Sequence, residues 1–201
     1  MKLNDIELDA LAEIINIGAG RAANSLSEIT GSRIELSVPN IEVCGTSNFS
    51  EIVEKLDLEF STAVQQGFQS DVSGRAFLVF PERNAFELAR IVGGIDATNV
   101  EMDDELCGVL EEIGNIVLNA VLGSMANVLN CELTYSLPEL CTKNTIAKII
   151  MGCADDAQSV VLIADTSFTV ASNAISGSLL LLFETGDIKS LLTSLTATPT
   201  T

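Results

Sequence analysis

Hydrophobic residues recur at helical spacing close to the start of the chain. From Leu8 to Gly20 they form a wide apolar face, and a narrow polar strip carries Asp9, Glu13 and Asn16. At the helical increment of about 100° per residue, the three polar residues fall within about 60° of one another. The pattern predicts a core helix that exposes two carboxylates and a carboxamide between apolar flanks.

The same helical pattern returns at an offset of 99 residues. The segment LAEIINIGAGRAANSLSEITGSRIELSVPNIE from Leu11 lies over LEEIGNIVLNAVLGSMANVLNCELTYSLPELC from Leu110. Each copy carries a helix-start signal: Asn4 with Glu7 forms a capping-box pattern, and an acidic run at 103–105 suits the positive end of a helix dipole. Such self-similarity predicts a duplicated fold.

Alternating apolar residues follow each predicted helix and indicate a strand that meets a proline, Pro39 in the first copy and Pro138 in the second. The alternating positions are Ile34, Leu36 and Val38, then Leu133, Tyr135 and Leu137. Further strands are predicted to start near Ser61, Ser73, Ser159 and Ser176. A helix is expected behind the last strand of each half.

We therefore predict an α/β (α+β) fold of pseudo-two-fold, duplicated helix-strand-strand-strand-helix halves that share one mainly antiparallel sheet packed with helices. Residues 1–201 are expected to form a single domain of two internal repeats, about 1–99 and 100–201. Neither half carries enough apolar surface to fold comfortably alone.

The charge of the chain restricts its partners. It has 28 Asp and Glu residues against 10 Lys and Arg residues, a formal net charge of −18. Nucleic acid and anionic membranes are repelled at long range, whereas a partner with an exposed lysine is favoured.

The longest apolar run, LLLLF at 179–183, is too short to span a bilayer, and the start does not resemble a signal peptide. We expect a cytoplasmic protein with no membrane insertion.

Residue types limit the chemistry further. The chain contains no histidine, which removes the usual general base and metal ligand. Its five cysteines, an odd number without a CxxC pair, are expected to be free thiols: Cys44, Cys107, Cys131, Cys141 and Cys153. No metal site is predicted. Any catalysis must use carboxylates, amides, hydroxyls or groups of a partner.

The pattern E-x2-N-x22-P occurs twice at the two polar strips. The residues are Glu13, Asn16 and Pro39, then Glu112, Asn115 and Pro138. Together with Asp9, the first copy resembles the D/S-x3-E-x2-N-x22-P signature of the CheC family of chemotaxis phosphatases, and the second copy departs from it because Gly108 replaces the Asp or Ser. The resemblance covers essentially the whole chain and is to the two-site CheC type.

This resemblance implies that the chain hydrolyses the aspartyl phosphate of the response regulator CheY. Asn16 and Asn115 would orient the attacking water, while Glu13 and Glu112 would contact a lysine of the regulator. No cofactor of its own is expected, because Mg²⁺ is held by the phosphorylated regulator. Placement of a water molecule supplies most of the catalysis when the acyl phosphate is already reactive.

Five further positions receive expected roles. Asp9 would help to dock the partner or hold the helix end, and Gly18 and Gly20 would allow the partner's backbone to approach beside Asn16. The two prolines of the motif are expected to be structural: they fix the chain beside each site.

Other readings stay open. GAGRAA at 18–23 fits a dinucleotide fingerprint, but such a site needs a preceding strand, whereas this segment is helix-periodic. Taken alone, Glu13 and Asn16 could form an ordinary solvated helix face. A non-catalytic binding module is the main alternative: it would sequester the receptor deamidase CheD or act as a flagellar-switch adaptor. The segment DIKSLLTSL from Asp187 is one candidate docking surface for CheD.

Overall fold

The structure, a computed structural model, describes residues 3–45, 48–70, 72–95, 103–142, 145–152, 159–170, 173–184, 187 and 193. The helices are α1 (Asp5–Thr30), α2 (Phe49–Lys55), α3 (Glu82–Gly93), α4 (Asp104–Leu129) and α5 (Thr145–Gly152), with a 3-10 turn at Leu58–Phe60. The strands are β1 (Ile34–Gly45), β2 (Ser61–Gln69), β3 (Ser73–Pro81), β4 (Thr134–Tyr135), β5 (Glu139–Thr142), β6 (Ser159–Val170) and β7 (Asn173–Glu184).

The seven described strands form one antiparallel sheet, as expected for the predicted fold class. Their order is β1-β6-β7-β3-β2-β4, and β5 also pairs with β2. Strands β1, β2 and β3 come from the first half of the chain, yet β1 pairs with β6 of the second half. In the same way β4 and β5 pair with β2. The first strand of each half therefore pairs with a strand of the other half.

Helices cover both faces of the sheet and make two hydrophobic cores. The larger core packs α1, α3 and α4 against one face, and the smaller packs α2 and α5 against the other. In β7, Leu179, Leu181 and Phe183 belong to the larger core, whereas Leu180 and Leu182 belong to the smaller one. Because strands covered on both faces bury every side chain, this segment reads as a continuous apolar run.

The predicted helix starts are confirmed. The Glu7 backbone N–H donates to Asn4 Oδ1 at 3.0 Å, and the Asn4 N–H donates to Glu7 Oε2 at 2.8 Å. These two bonds complete a capping box at α1. At α4 the Leu106 N–H donates to Asp103 Oδ1 at 3.0 Å. The two long helices that carry the polar strips are thus fixed at their first turns.

Helices α2 and α5, which cover the second face of the sheet, were not predicted. They contain only 7 and 8 residues. A hydrophobic period cannot be recognised over two turns, and such short helices depend on tertiary packing for their stability. Phe49 and Ile146 are fully buried in the smaller core and supply that packing. Each half therefore contains an extra helix, α2 between β1 and β2 and α5 between β5 and β6.

The strand expected around Tyr135 is much shorter than its counterpart β1. Ile34, Leu36 and Val38 are buried as predicted, but β4 has only two residues. Leu137, one of the alternating apolar positions, is 83% exposed. The expected strand therefore forms only at its centre, because β4 pairs with β2 at two positions.

Most of the segment expected to form the last helix, 187–195, lies outside the described residues, as do Cys153, residues 96–102 between the two halves and the end of the chain. The other four cysteines are free thiols.

Helix α4 is long and apolar enough to cross a membrane by length and composition. Its apolar residues, however, pack in the larger core against the sheet and α1.

Gly18 marks the close contact between α1 and α4. It is buried, and a Cβ atom at this position would lie 2.6 Å from Val121 Cα on α4. Gly18 was expected to admit a partner's backbone, and this expectation was wrong because α4 of the same chain occupies that space. Gly20 is exposed, with no atom within 4 Å of an added Cβ.

The two glycines give a matched test of this packing. Gly18→Ala should lower the free energy of unfolding by about 1–2 kcal/mol, because the helices must separate despite a better helix propensity. Gly20→Ala should raise it by up to about 1 kcal/mol, since only the propensity changes. Urea unfolding measures both, and equal shifts in the same direction would contradict the close contact.

Candidate functional site

The polar strip of α1 lies on the surface, as its spacing predicts. Asp9, Glu13 and Asn16 are exposed, and the carboxylates of Asp9 and Glu13 bind no other described residue. Two exposed apolar side chains lie along the Glu13 edge of the strip, Ile6 at 73% exposure and Ile17 at 44%. Exposed isoleucines beside unpaired carboxylates form a surface suited to a partner that offers both an apolar contact and a cation.

Asn16 is anchored to the backbone of β1. The Val38 N–H donates to Asn16 Oδ1 at 3.1 Å, and Asn16 Nδ2 donates to the Val38 carbonyl at 3.2 Å. The same Nδ2 also donates to the Ala12 carbonyl at 2.9 Å. A carboxamide has two N–H donors and two acceptor lone pairs, so only one acceptor site of Asn16 stays available.

This anchoring explains the 22-residue spacing of the motif. Val38 is the residue 22 positions after Asn16 and directly precedes Pro39. Pro39 has no N–H, and the pairing of β1 with β6 shifts register between Ser37 and Asn40. The ladder is interrupted at Pro39, and pairing resumes at Asn40. The carboxamide thus satisfies backbone groups at the interruption.

A second side chain of α1 binds the same strand. The Ile34 N–H donates to Ser27 Oγ at 3.0 Å. Ile34 and Val38 are four residues apart, so their backbone groups point to the same side of β1. Because β1 ends the strand order, this helix occupies polar groups that an edge strand would offer to another chain.

The polar strip of α4 differs from that of α1. Gly108 and Glu112 are exposed, whereas Asn115 is half-buried. Asn115 has no bond to Leu137, the position that corresponds to Val38. Instead its Oδ1 accepts a hydrogen bond from Asn119 Nδ2 at 2.8 Å. Among the described residues the Asn115 amino group has no acceptor.

Other side chains hold the chain beside the second strip. The Leu140 N–H donates to Glu111 Oε1 at 3.2 Å, which ties α4 to β5. Gln66 Nε2 donates to the Ser136 carbonyl at 3.0 Å, and the Gly67 N–H donates to Ser136 Oγ at 2.9 Å. Pro138 lies between β4 and β5. Here the segment before the proline is held by β2 rather than by the asparagine of the motif.

Sequence reasoning missed Asn119, Glu111 and Ser27. Asn119 follows Asn115 at the i, i+4 spacing at which helical side chains meet, so a signal was present. The spacing from Asn16 could also have indicated Val38 as a bonding partner. No pattern pointed to Glu111 or Ser27, because each accepts from a backbone N–H group, which almost every residue carries.

The described residues offer few ion pairs and no cluster that could hold a metal. The ion pairs are Arg33 with Glu35 and Lys55 with Glu42, both exposed. Both carboxylates of the first strip and Glu112 of the second lie outside these ion pairs, which leaves negative charge on both strips. GAGRAA lies inside α1, without the preceding strand that a dinucleotide site requires.

Comparison with known proteins supports the motif. The model of the CheC-like family matches residues 6–43, which contain the first motif from Asp9 to Pro39. CheY-P phosphatase CheC of Bacillus subtilis (strain 168) is 24% identical over 170 residues, which are 82% of this chain and 81% of that protein. The resemblance to the CheC family is confirmed.

Solved structures share the fold of this chain. Thermotoga maritima FliY superposes with a TM-score of 0.74 at 19% identity and 98% coverage of both chains. The middle domain of FliM from H. pylori gives a TM-score of 0.70 at 13% identity, over 96% of this chain and 99% of that one. At these identities the likeness establishes the fold, and residue roles must be argued from the site itself.

Asn16→Ala tests the anchoring to β1. Removing the carboxamide leaves the Val38 N–H and carbonyl without their partner, which should lower the free energy of unfolding by about 1–3 kcal/mol. Asn24→Ala, at an exposed position of the same helix, should change it by less than about 0.5 kcal/mol. Chemical denaturation checks the difference, and equal stability of the two variants would remove the structural role of Asn16.

The reactivity of the Cys107 thiol, next to Gly108, tests the electrostatic environment of the second strip. Burial, followed by the charges of Asp104, Glu111 and Asp103, raises the pKa of its thiol. The thiol is therefore protonated at neutral pH and reacts slowly, since the thiolate is the nucleophile. Alkylation of Cys107 by iodoacetamide, followed by peptide mass spectrometry, should be slower than that of a free cysteine peptide at pH 7. A rate equal to that of the peptide would contradict the raised pKa.

Proposed function

We propose that this chain is a phosphatase that hydrolyses the aspartyl phosphate of a CheY-type response regulator. The observation that supports this most is the exposed carboxylate of Glu13 one turn from the anchored carboxamide of Asn16, a pair that recurs as Glu112 and Asn115. The similar protein from Bacillus subtilis carries the name CheY-P phosphatase CheC. Both point to the same reaction class.

The reaction needs little chemistry from this chain. Water attacks the phosphorus in line, the bond from phosphorus to the aspartyl oxygen breaks, and inorganic phosphate and the free aspartate result. The regulator holds the acyl phosphate with its own Mg²⁺, so the phosphatase needs no cofactor of its own. Fixing one water in the attacking geometry is enough for a large rate increase.

The carboxamides are suited to position that water. Asn16 keeps one acceptor lone pair, which can take a proton of the water and turn the water's own lone pair toward phosphorus. Asn115 keeps an acceptor lone pair and also two N–H donors, which can stabilise the charge on the phosphoryl oxygens. The second site therefore retains more hydrogen-bonding capacity, although its motif is incomplete at Gly108.

The other residues of each strip would contact the regulator when it docks. Glu13 and Glu112 are placed to contact a lysine of the regulator, and Asp9 extends the negative surface of the first site. Ile6 and Ile17 offer apolar contact on either side of Glu13. Gly20 leaves open space beside Asn16 for the partner's backbone. Pro39 and Pro138 act through the backbone and not on the substrate.

A binding role is the second candidate. Its support is the fold that this chain shares with the FliM middle domain. In that role the chain would bind CheD or a flagellar-switch protein, and phosphate release would be secondary. The two roles are separable, because only a phosphatase needs the Glu and Asn of each strip for turnover.

Phosphate release from a chemically phosphorylated CheY-type receiver with Mg²⁺ tests the proposal. The wild type should accelerate release, and the variant carrying both Asn16→Ala and Asn115→Ala should lose at least about ninety per cent of that acceleration, since one hydrogen-bond contribution of about 1.4 kcal/mol is tenfold. Of the single variants, Asn115→Ala should lower kcat more, because Asn115 keeps the free donors.

Asn24→Ala serves as the control, and the melting temperature of every variant is compared so that loss of folding is not read as loss of catalysis. If the wild type accelerates no receiver from the same organism, the phosphatase proposal fails. A pull-down with CheD would then be the measurement to make on the binding role.

A further inference from the structure

Asn119 lies on α4, one turn beyond Asn115, and it belongs to neither copy of the motif. Its Nδ2 donates to Asn115 Oδ1 at 2.8 Å. The side chain is half-buried, and its own Oδ1 is buried without a hydrogen-bond partner among the described residues. Asn119 thus makes one side-chain bond, and that bond ends on the carboxamide of the second strip.

The unpartnered oxygen argues against a role in stability. A buried acceptor without a donor costs free energy, whereas an apolar side chain at the same place would not carry that penalty. An asparagine is also a poorer helix former than alanine or leucine. The position therefore keeps a side chain that folding does not favour.

In the first half the asparagine of the motif is oriented by a different contact. The 99-residue offset places Gly20 at the position of Asn119, and Gly20 has no side chain to bind Asn16. Asn16 is oriented by the Val38 backbone instead. In the second half Leu137 is 83% exposed and does not hold Asn115. Backbone groups of Val38 and Ala12 thus orient Asn16, whereas Asn119 is the described residue that orients Asn115.

We infer that Asn119 is a positioning residue for Asn115, an inference that rests on the proposed phosphatase function. By donating to Asn115 Oδ1, Asn119 fixes which way the carboxamide faces. The Asn115 amino group then points its two N–H donors away from Asn119, toward the phosphoryl group of the docked regulator. Without this bond the carboxamide turns freely between two orientations, of which one places the oxygen toward a negatively charged phosphoryl group.

The test uses chains in which the first site is silenced by Glu13→Ala, because Asn16→Ala would also disturb β1. In that background Asn119→Ala, Asn119→Leu and Asn119→Asp are compared with the unmodified Asn119. The control is Asn127→Ala, an exposed asparagine on the same helix. The kcat and KM for phosphate release from a phosphorylated CheY-type receiver are measured together with the melting temperature.

Asn119→Ala and Asn119→Leu should lower kcat about tenfold, the effect of one lost hydrogen bond in the transition state, with KM changed less than about twofold. Their melting temperatures should equal or exceed that of the background, because the unpartnered oxygen is gone. Asn127→Ala should change neither quantity. A fall in melting temperature that accompanies the loss of kcat would assign Asn119 a structural role and overturn the inference.

Asn119→Asp adds a pH readout that a structural role would not give. An ionised carboxylate cannot donate to Asn115 Oδ1, whereas a protonated carboxyl can. The ratio of its kcat to that of the Asn119 background should therefore be low at neutral pH and rise as the pH falls through the pKa of the new carboxyl. A ratio that is constant with pH would contradict the donor role.

The outcomes also separate the inference from the proposed function. If the wild-type chain does not accelerate phosphate release, the proposed function fails, and the positioning role falls with it. If the wild type is active and Asn119→Ala and Asn119→Leu keep full kcat in the silenced background, the proposed function stands and the inference alone is overturned.

Discussion

The sheet has to be covered on both faces, and the rest of the molecule follows from this constraint. The central strands β3, β6 and β7 carry buried apolar side chains toward both sides. Exposure of either face would leave a large apolar surface in water. Helices α1 and α4 meet this requirement on one face, where Gly18 allows them to approach closely. Once their apolar faces are committed to the core, their polar strips must face solvent.

Asn16 links the polar strip of α1 to the sheet. The carboxamide satisfies the backbone of Val38 at the point where Pro39 interrupts the pairing of β1. This bonding holds the side chain in one orientation beside the exposed Glu13. A residue that serves folding in this way is preorganised for binding at no additional entropic cost. The fixed spacing between the asparagine and the proline is then a property of the fold as well as of the site.

The two halves use the same strip but hold it differently. In the first half a long strand supplies the backbone that orients the asparagine, while in the second the short strand β4 leaves Leu137 in solvent. Asn119 and Glu111 supply contacts there that have no counterpart in the first half. The two copies of the sequence pattern therefore differ in hydrogen-bonding capacity. The amino group of Asn16 donates to two carbonyls, whereas that of Asn115 has no acceptor among the described residues.

The sequence by itself determined the long helices, their caps, most strands and the exposed strips, because these depend on local periodicity and capping chemistry. Tertiary structure alone decided three things: the pairing of each half's first strand with the other half, the placement of Gly18 against α4, and the difference between the two asparagines. Each of these depends on atoms far apart in the chain, such as Val38 near Asn16 or Val121 near Gly18. Helical periodicity shows which side chains share a face, but it cannot show which distant backbone will lie against that face.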